Sequence, residues 1–216
     1  MTAFSDCRFV VVDVETTGSS AIRGDRVTEV AAVVVESGRV EVAFQSLVNP
    51  ERHIPAFITG LTGISNAMVA DAPTFCEIAD SLATTLAART FVAHNAVFDW
   101  GFLTMEFARA HRPEALAGAP LCTVRLARRV LAHLPRRNLD AVAWHYGVSI
   151  ESRHRALGDA RATAQVLLGL LRDAEQRGFH SLDELRTWMA SRAGATRKRR
   201  TAMPRPVDDR GLGPGA

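Results

Sequence analysis

The chain has 216 residues, 47% hydrophobic and 23% charged, a composition that suits one globular domain with a buried core and some extra length. No apolar run approaches the ~18 residues needed to cross a bilayer, and the first residues hold no apolar signal core. The expectation is therefore a soluble, unexported, cytoplasmic protein. Three widely separated cysteines, Cys7, Cys76 and Cys122, exclude a disulfide framework or zinc knuckle and are expected to be buried thiols.

The formal charge of +3 is unevenly placed. From Ser191 onward the chain carries seven Arg or Lys and two Asp, so the body before it has 19 basic and 21 acidic residues, a net of −2. A body of this sign grips a polyanion through local donors and bound cations, not through many Lys and Arg contacts to phosphate.

Arg8 to Glu15 is a β-branched run ended by Thr-Thr-Gly, short enough for a buried central strand. Val27 to Glu36 and Val40 to Val48 are two more strands, joined through Ser37-Gly38, and the three together form an antiparallel meander. After Pro73 the period changes: Ile78, Leu82 and Leu86 mark a helix, and Phe91-Val92-Ala93 a further buried strand. Helices follow over Asp99 to Ala110, Val124 to His133, Asn138 to His145 and Ala156 to Leu171, with a short strand at Leu121 to Thr123. Ser181 to Glu184 is a capping box that opens a last short helix. This order implies an α/β fold of the ribonuclease-H-like kind, a mixed sheet of antiparallel meander plus parallel strands flanked by helices. One domain is expected over residues 1–190, with its core at 8–175. Residues 191–216 form a basic, Pro- and Gly-rich tail with too little apolar surface to offset ordering entropy.

Chemistry concentrates in five residues. Asp13 and Glu15 stand two apart on one strand and so point to one face, where two carboxylates repel unless a cation holds them; hard divalent ions prefer such oxygens. A pair of solvated acids at a strand edge is the bland alternative. Asp99, in His-Asn-Ala-Val-Phe-Asp, and Asp159, in His-Arg-Ala-Leu-Gly-Asp-Ala, lie where helices begin, and helix capping would account for either one alone. His154 precedes Asp159 by five residues.

Asp-Val-Glu-Thr-Thr-Gly, His-Asn-Ala-Val-Phe-Asp and His-Arg-Ala-Leu-Gly-Asp-Ala resemble, in order, the three motifs of the DnaQ-like (DEDDh) 3′-5′ exonucleases, a family that includes the epsilon subunit of bacterial DNA polymerase III. Leu61 to Ile64, Ala72 to Phe75, Leu-Ala-Arg-Arg and Asn-Leu-Asp are similar to the segments linking those motifs, so the resemblance spans about Arg8 to Leu171. It implies a site in which Asp13, Glu15, Asp99 and Asp159 hold two Mg²⁺ or Mn²⁺ ions. Such a pair clamps a scissile phosphate, activates water and stabilises the departing 3′ oxygen. Histidines titrate near neutral pH, which suits His154 to serve as general base. The resemblance also assigns Thr16, Thr17, Gly18, Leu61 and Thr62 to the terminal nucleotide, with Leu61 as an apolar wedge and core packing as its alternative. His94 and Asn95 are read as support beside Asp99, and Phe98 and Phe102 as core. Cys122 precedes Thr123 where many relatives have Asp, outside the ligand set.

The implied function is removal of nucleotides from the 3′ end of DNA, preferably single-stranded, in proofreading or repair, with a DNA polymerase subunit as a possible partner. Two other readings compete. An RNA-trimming enzyme of the same family shares all three motifs, and discrimination turns on the 2′-hydroxyl. A non-catalytic polymerase-docking module is expected to have lost a carboxylate or the histidine, and all five residues are present here.

Overall fold

The computed structural model describes residues 3–191; the expected basic tail, apart from Ser191, lies outside the described residues. β1 (Arg8–Thr16), β2 (Val27–Glu36) and β3 (Arg39–Leu47) form the expected meander. The β2–β3 hairpin turns on two residues of positive φ, Ser37 (49°) and Gly38 (75°), the geometry that matches the right-handed twist of the flanking strands. Two short helices that the periodicity does not announce follow, α1 (Ala56–Thr62) and α2 (Asn66–Val69). They enclose a small cluster of Ile54, Ile58, Ile64 and Val69.

α3 (Phe75–Leu86) is opened by a capping box between Thr74 and Glu77. It leads to β4 (Thr90–Ala93), α4 (Ala96–Arg109) and β5 (Leu121–Cys122). α5 (Thr123–Val130), α6 (Leu139–His145), α7 (Ala156–Gln176) and α8 (Leu182–Ala190) complete the described chain. α8 carries the expected capping box of Ser181 and Glu184. The longest helix runs five residues past its expected end because Val166, Leu167, Leu170, Leu171 and Ala174 keep one face buried. No helix among the described residues is long and apolar enough to cross a membrane.

The sheet order is β3-β2-β1-β4-β5. β1 pairs β2, and β2 pairs β3, antiparallel, whereas β4 joins β1 and β5 joins β4 in parallel. This is the ribonuclease-H-like mixed sheet. Alternation along β1 divides the core: Phe9 and Val11 pack with α5, α6 and α7, while Val10, Val12 and Val14 pack with α3 and α4 on the other face. Asp13 and Glu15 continue the first of these series. Burial of each large side chain such as Leu167 or Phe107 contributes about 1.5–3 kcal/mol, and it anchors both helical layers to the strand that carries the acids. Cys7 and Cys122 are buried as expected, but Cys76 is exposed, because its position on α3 faces away from the Phe75, Ile78, Ala79 and Leu82 stripe.

Candidate functional site

β1 outlasts its parallel neighbour. Its last pairing with β4 is Val11 with Val92, after which the chain leaves the sheet through Asn95, a residue of positive φ (75°) that starts α4 at Ala96. The strand end is thus open on that side, and the Val14 N–H donates to Asp99 Oδ1 at 3.2 Å. Asp99 and Asp159 are not helix caps: those positions belong to Asn95 and Arg155. Each acid is instead the fourth helical residue, counted from Ala96 or Ala156. There the positive end of the helix dipole favours an anion.

Side-chain ligand atoms of Glu15, His154 and Asp159 lie within 4.8 Å of one another. Asp13 and Asp159 line one cleft of about 530 Å³, together with His94, Asn95, Arg128, Arg137 and Arg153. Burial raises Asp13 far above the usual carboxylate range, and the charges of Asp99, Glu15 and Asp159 raise it further. Burial likewise pushes Glu15 up to about 8, aided by Asp159 and Glu29, and Asp99 up to about 7. Asp159 is also raised by burial, against the pull of Arg153. Four carboxylates in one place cannot all ionise without added positive charge.

The donor set fits a hard divalent cation. All four acids offer oxygen, and Asp159 Oδ1 is a buried atom with no hydrogen-bond partner among the described residues. The other oxygen of Asp159 accepts from Arg153 Nη1. Arg153 Nε donates in turn to Asp140 Oδ1 at 2.9 Å, so this arginine bridges α6 to the acids. His154 adopts a left-handed backbone (φ 61°) in the connection to α7.

The loop that carries His154 rests on Gly158. A Cβ there would sit 1.8 Å from the Glu151 carbonyl oxygen and 2.9 Å from that of Ser152. No side chain fits without displacing the loop. The next restraint is Glu29, fully buried on β2 opposite Glu15. Its carboxylate accepts from Arg155 Nε (3.0 Å), Arg155 Nη2 (2.8 Å) and the Ala156 N–H (2.9 Å). Sequence reasoning passed over Glu29, Arg153, Arg155 and Gly158. An acid in an otherwise apolar strand was the available signal for Glu29, and adjacency to His154 the signal for the two arginines.

The residues expected at the substrate end are placed differently from one another. Thr16 Oγ1 donates to the Gly18 carbonyl (2.6 Å), Thr17 Oγ1 donates to Asp25 (3.3 Å), and Thr62 Oγ1 donates to the Ile58 carbonyl (3.0 Å). All three threonines are buried, and their hydroxyl protons are committed within the chain. Gly18 packs against Asp25, where a Cβ would lie 2.4 Å from Oδ2. Leu61 is not core: it is 54% exposed, and Phe57, one turn earlier on α1, is 71% exposed. Phe102 is buried in the core and Phe98 packs half-buried against it. His94 braces a different segment from the one expected. Its Nδ1 meets Thr123 Oγ1 at 2.8 Å and its Nε2 the Arg137 carbonyl at 3.0 Å, and burial lowers its pKa to about 4. The neutral ring therefore ties the α5–α6 connection to β4.

A ribonuclease-H-like sheet with acids converging at the end of its central strand defines a class of metal-assisted nucleases, and comparison with known proteins makes the family specific. Residues 10–167 match the RNase_T exonuclease family model. The chain belongs to this exonuclease family. A Mycobacterium tuberculosis (strain CDC 1551 / Oshkosh) protein, whose name carries both exonuclease and endonuclease, is 42% identical over 201 residues, covering 89% of this chain and 31% of that protein. The 3′-5′ exonuclease DinG of Bacillus subtilis (strain 168) is 38% identical over 83% of this chain and 19% of its own length. The PolC-type DNA polymerase III of the same organism is 35% identical over 82% of this chain and 12% of its length. The chain thus spans less than a third of these relatives. Exonuclease X, solved in complex with 5′ overhanging duplex DNA, superposes with a TM-score of 0.61 at 25% identity, covering 84% of this chain and 99% of that one.

Proposed function

We propose that the chain is a 3′-5′ exonuclease acting on DNA, with single-stranded ends preferred, and that it releases nucleoside 5′-monophosphates. The observation that carries this reading is the convergence of Asp13, Glu15, Asp99 and Asp159 on one strand end, with His154 beside Glu15 and Asp159 and one Asp159 oxygen without a partner among the described residues. These four acids would hold two Mg²⁺ or Mn²⁺ ions, which supply Lewis-acid stabilisation of the phosphate and a more acidic bound water. His154 takes the proton of the attacking water, since its loop brings the ring to the acids without burying it. Glu29 and Arg155 hold the helix that presents Asp159, and Asp99 is held by the Val14 N–H.

At the terminal nucleotide, Thr16, Thr17, Gly18 and Thr62 shape the wall, and their contribution is backbone and surface more than hydroxyl donation. Leu61, with Phe57, offers the exposed apolar surface that stacks against terminal bases without reading sequence. DNA is favoured over RNA because the relatives most similar over the whole match include DinG and PolC-type DNA polymerase III. The same likeness supports a role beside a polymerase, in proofreading or repair. The organisation proposed is a single exonuclease domain over residues 1–190.

Digestion of 5′-labelled single-stranded DNA and matched RNA with Mg²⁺ or Mn²⁺ tests this reading. A ladder shortening from the 3′ end, abolished by EDTA and by Asp13→Ala, is the expected result. Faster loss of the RNA would transfer the reading to the RNA-trimming branch, and internal cuts would overturn end-directed cleavage.

A further inference from the structure

Charge is segregated within the folded body. Leu121 to Arg155 contains seven arginines and two acids, a net of +5, although the body as a whole is at −2. Several of these arginines are engaged: Arg129 with α8, Arg153 with Asp140 and Asp159, and Arg155 with Glu29. Arg125, Arg128 and Arg136 are exposed and make no ion pair among the described residues, and Arg128 lines the cleft that holds Asp13 and Asp159.

α6, whose first residue Leu139 lines the cleft, carries Trp144 further along, 82% exposed. α6 turns Leu139, Val142 and Ala143 inward. Trp144 follows Asp140 by one turn, the spacing that puts both on one helix face, and Asp140 is bonded to Arg153 at the acids. From Leu139, which borders the cleft, to Trp144 the helix advances about 7.5 Å, close to two stacked nucleotide steps of about 3.4 Å. An exposed indole has no folding role that its surroundings explain.

Exposed guanidinium groups at the cleft (Arg128) and beside it (Arg136, between the lining residues Pro135 and Arg137), with a bare aromatic face further along, are the combination that binds single strands: phosphates follow the cations and a base stacks on the ring. We propose that Arg128, Arg136 and Trp144 form an exit path for the single strand upstream of the 3′ end, with a base about two nucleotides beyond the cleft border at Leu139 stacked on Trp144. This rests on the exonuclease reading for its direction, not for its chemistry. The path sets how long a strand must be to bind well.

The test uses the full chain with thymidylate oligomers of two and twelve residues. Trp144→Ala is expected to raise KM for the dodecamer about tenfold, a factor equal to 1.4 kcal/mol, with a far smaller change for the dimer, and Trp144→Phe is expected to restore most of the affinity. Arg128→Ala and Arg136→Ala should each reduce the salt slope of dodecamer binding by about 0.7. Equal KM values for wild type and Trp144→Ala on the dodecamer would overturn the path and leave the exonuclease reading intact. If the wild type hydrolyses neither oligomer, titration of its tryptophan fluorescence with the dodecamer in EDTA decides separately. Quenching that Trp144→Phe abolishes supports the path; its absence overturns it and leaves the ring as a contact for a protein partner.

Discussion

Glu29 grips Arg155 through two parallel hydrogen bonds of 2.8 and 3.0 Å, across 126 residues of sequence, and it receives the Ala156 N–H with the same carboxylate. This clamp joins the strand beside β1 to the start of α7, so it sets where Asp159 and the His154 loop lie. Glu29→Ala orphans the buried Ala156 N–H and leaves Arg155, 35% exposed, to be solvated by water, and is expected to destabilise the protein by about 1–3 kcal/mol. Arg155→Lys should recover little, because an ammonium lacks the planar fork. Urea unfolding with an unchanged m value measures this, and a loss under 1 kcal/mol would sink the clamp.

The acids themselves oppose the fold when no cation is bound. Glu15 at about 8 and Asp99 at about 7 stand far above the unfolded carboxylate values near 4. Between pH 4 and 8 the metal-free folded state therefore holds more protons than the unfolded state, and stability falls as pH rises through that window. His94 works in the opposite sense, because its folded pKa of about 4 costs stability as pH falls below about 6.5. Asp13→Asn removes one of the four charges, so it should raise the metal-free Tm at pH 8 while abolishing cleavage, and Mn²⁺ should raise the wild-type Tm more at pH 8 than at pH 6. A metal-free variant less stable than wild type at pH 8 contradicts this.

Arg153 supplies the positive charge that reaches Asp159. It occupies the flank of the oxygens proposed to hold metal, so Arg153→Gln is expected to tighten Mn²⁺ binding several-fold in calorimetry and to lower the metal-free Tm. Weaker or unchanged binding would show that the arginine does not compete with the ion.

His154 is proposed as base and not as ligand, and the two roles separate experimentally. His154→Ala should lower kcat by about 10²–10⁴-fold, while Mn²⁺ affinity by calorimetry stays within about threefold. A comparable collapse of metal affinity would make the ring a ligand.

Gly158→Ala tests the loop without touching an acid. The added methyl meets the Glu151 carbonyl, so the loop must move and carry His154 with it. The expected outcome is a kcat loss larger than the change in Tm predicts, and wild-type kcat would count against the close packing.

Much of this protein is legible locally. Strand and helix periods mark β1 to β5 and α3 to α7, with α7 ending five residues late, and a capping box marks the start of α8; each element buries one face or both and the apolar spacing records it. Alternation alone puts Asp13 and Glu15 on one side of β1, and three motifs in order resemble a nuclease family. The short helices α1 and α2 were not legible, because seven and four residues are too few for a period to declare itself.

Long-range partnership belongs to the tertiary structure. That Glu29 faces Arg155, that Asp99 receives the Val14 N–H, and that Arg153 reaches Asp159 depend on which strands pair and where β4 stops. The raised proton affinities follow from burial and from carboxylates brought together by three separate elements. Neither is encoded at any one position: sequence determines what each segment can do alone, whereas the electric field at the site is a sum over residues that only folding makes neighbours.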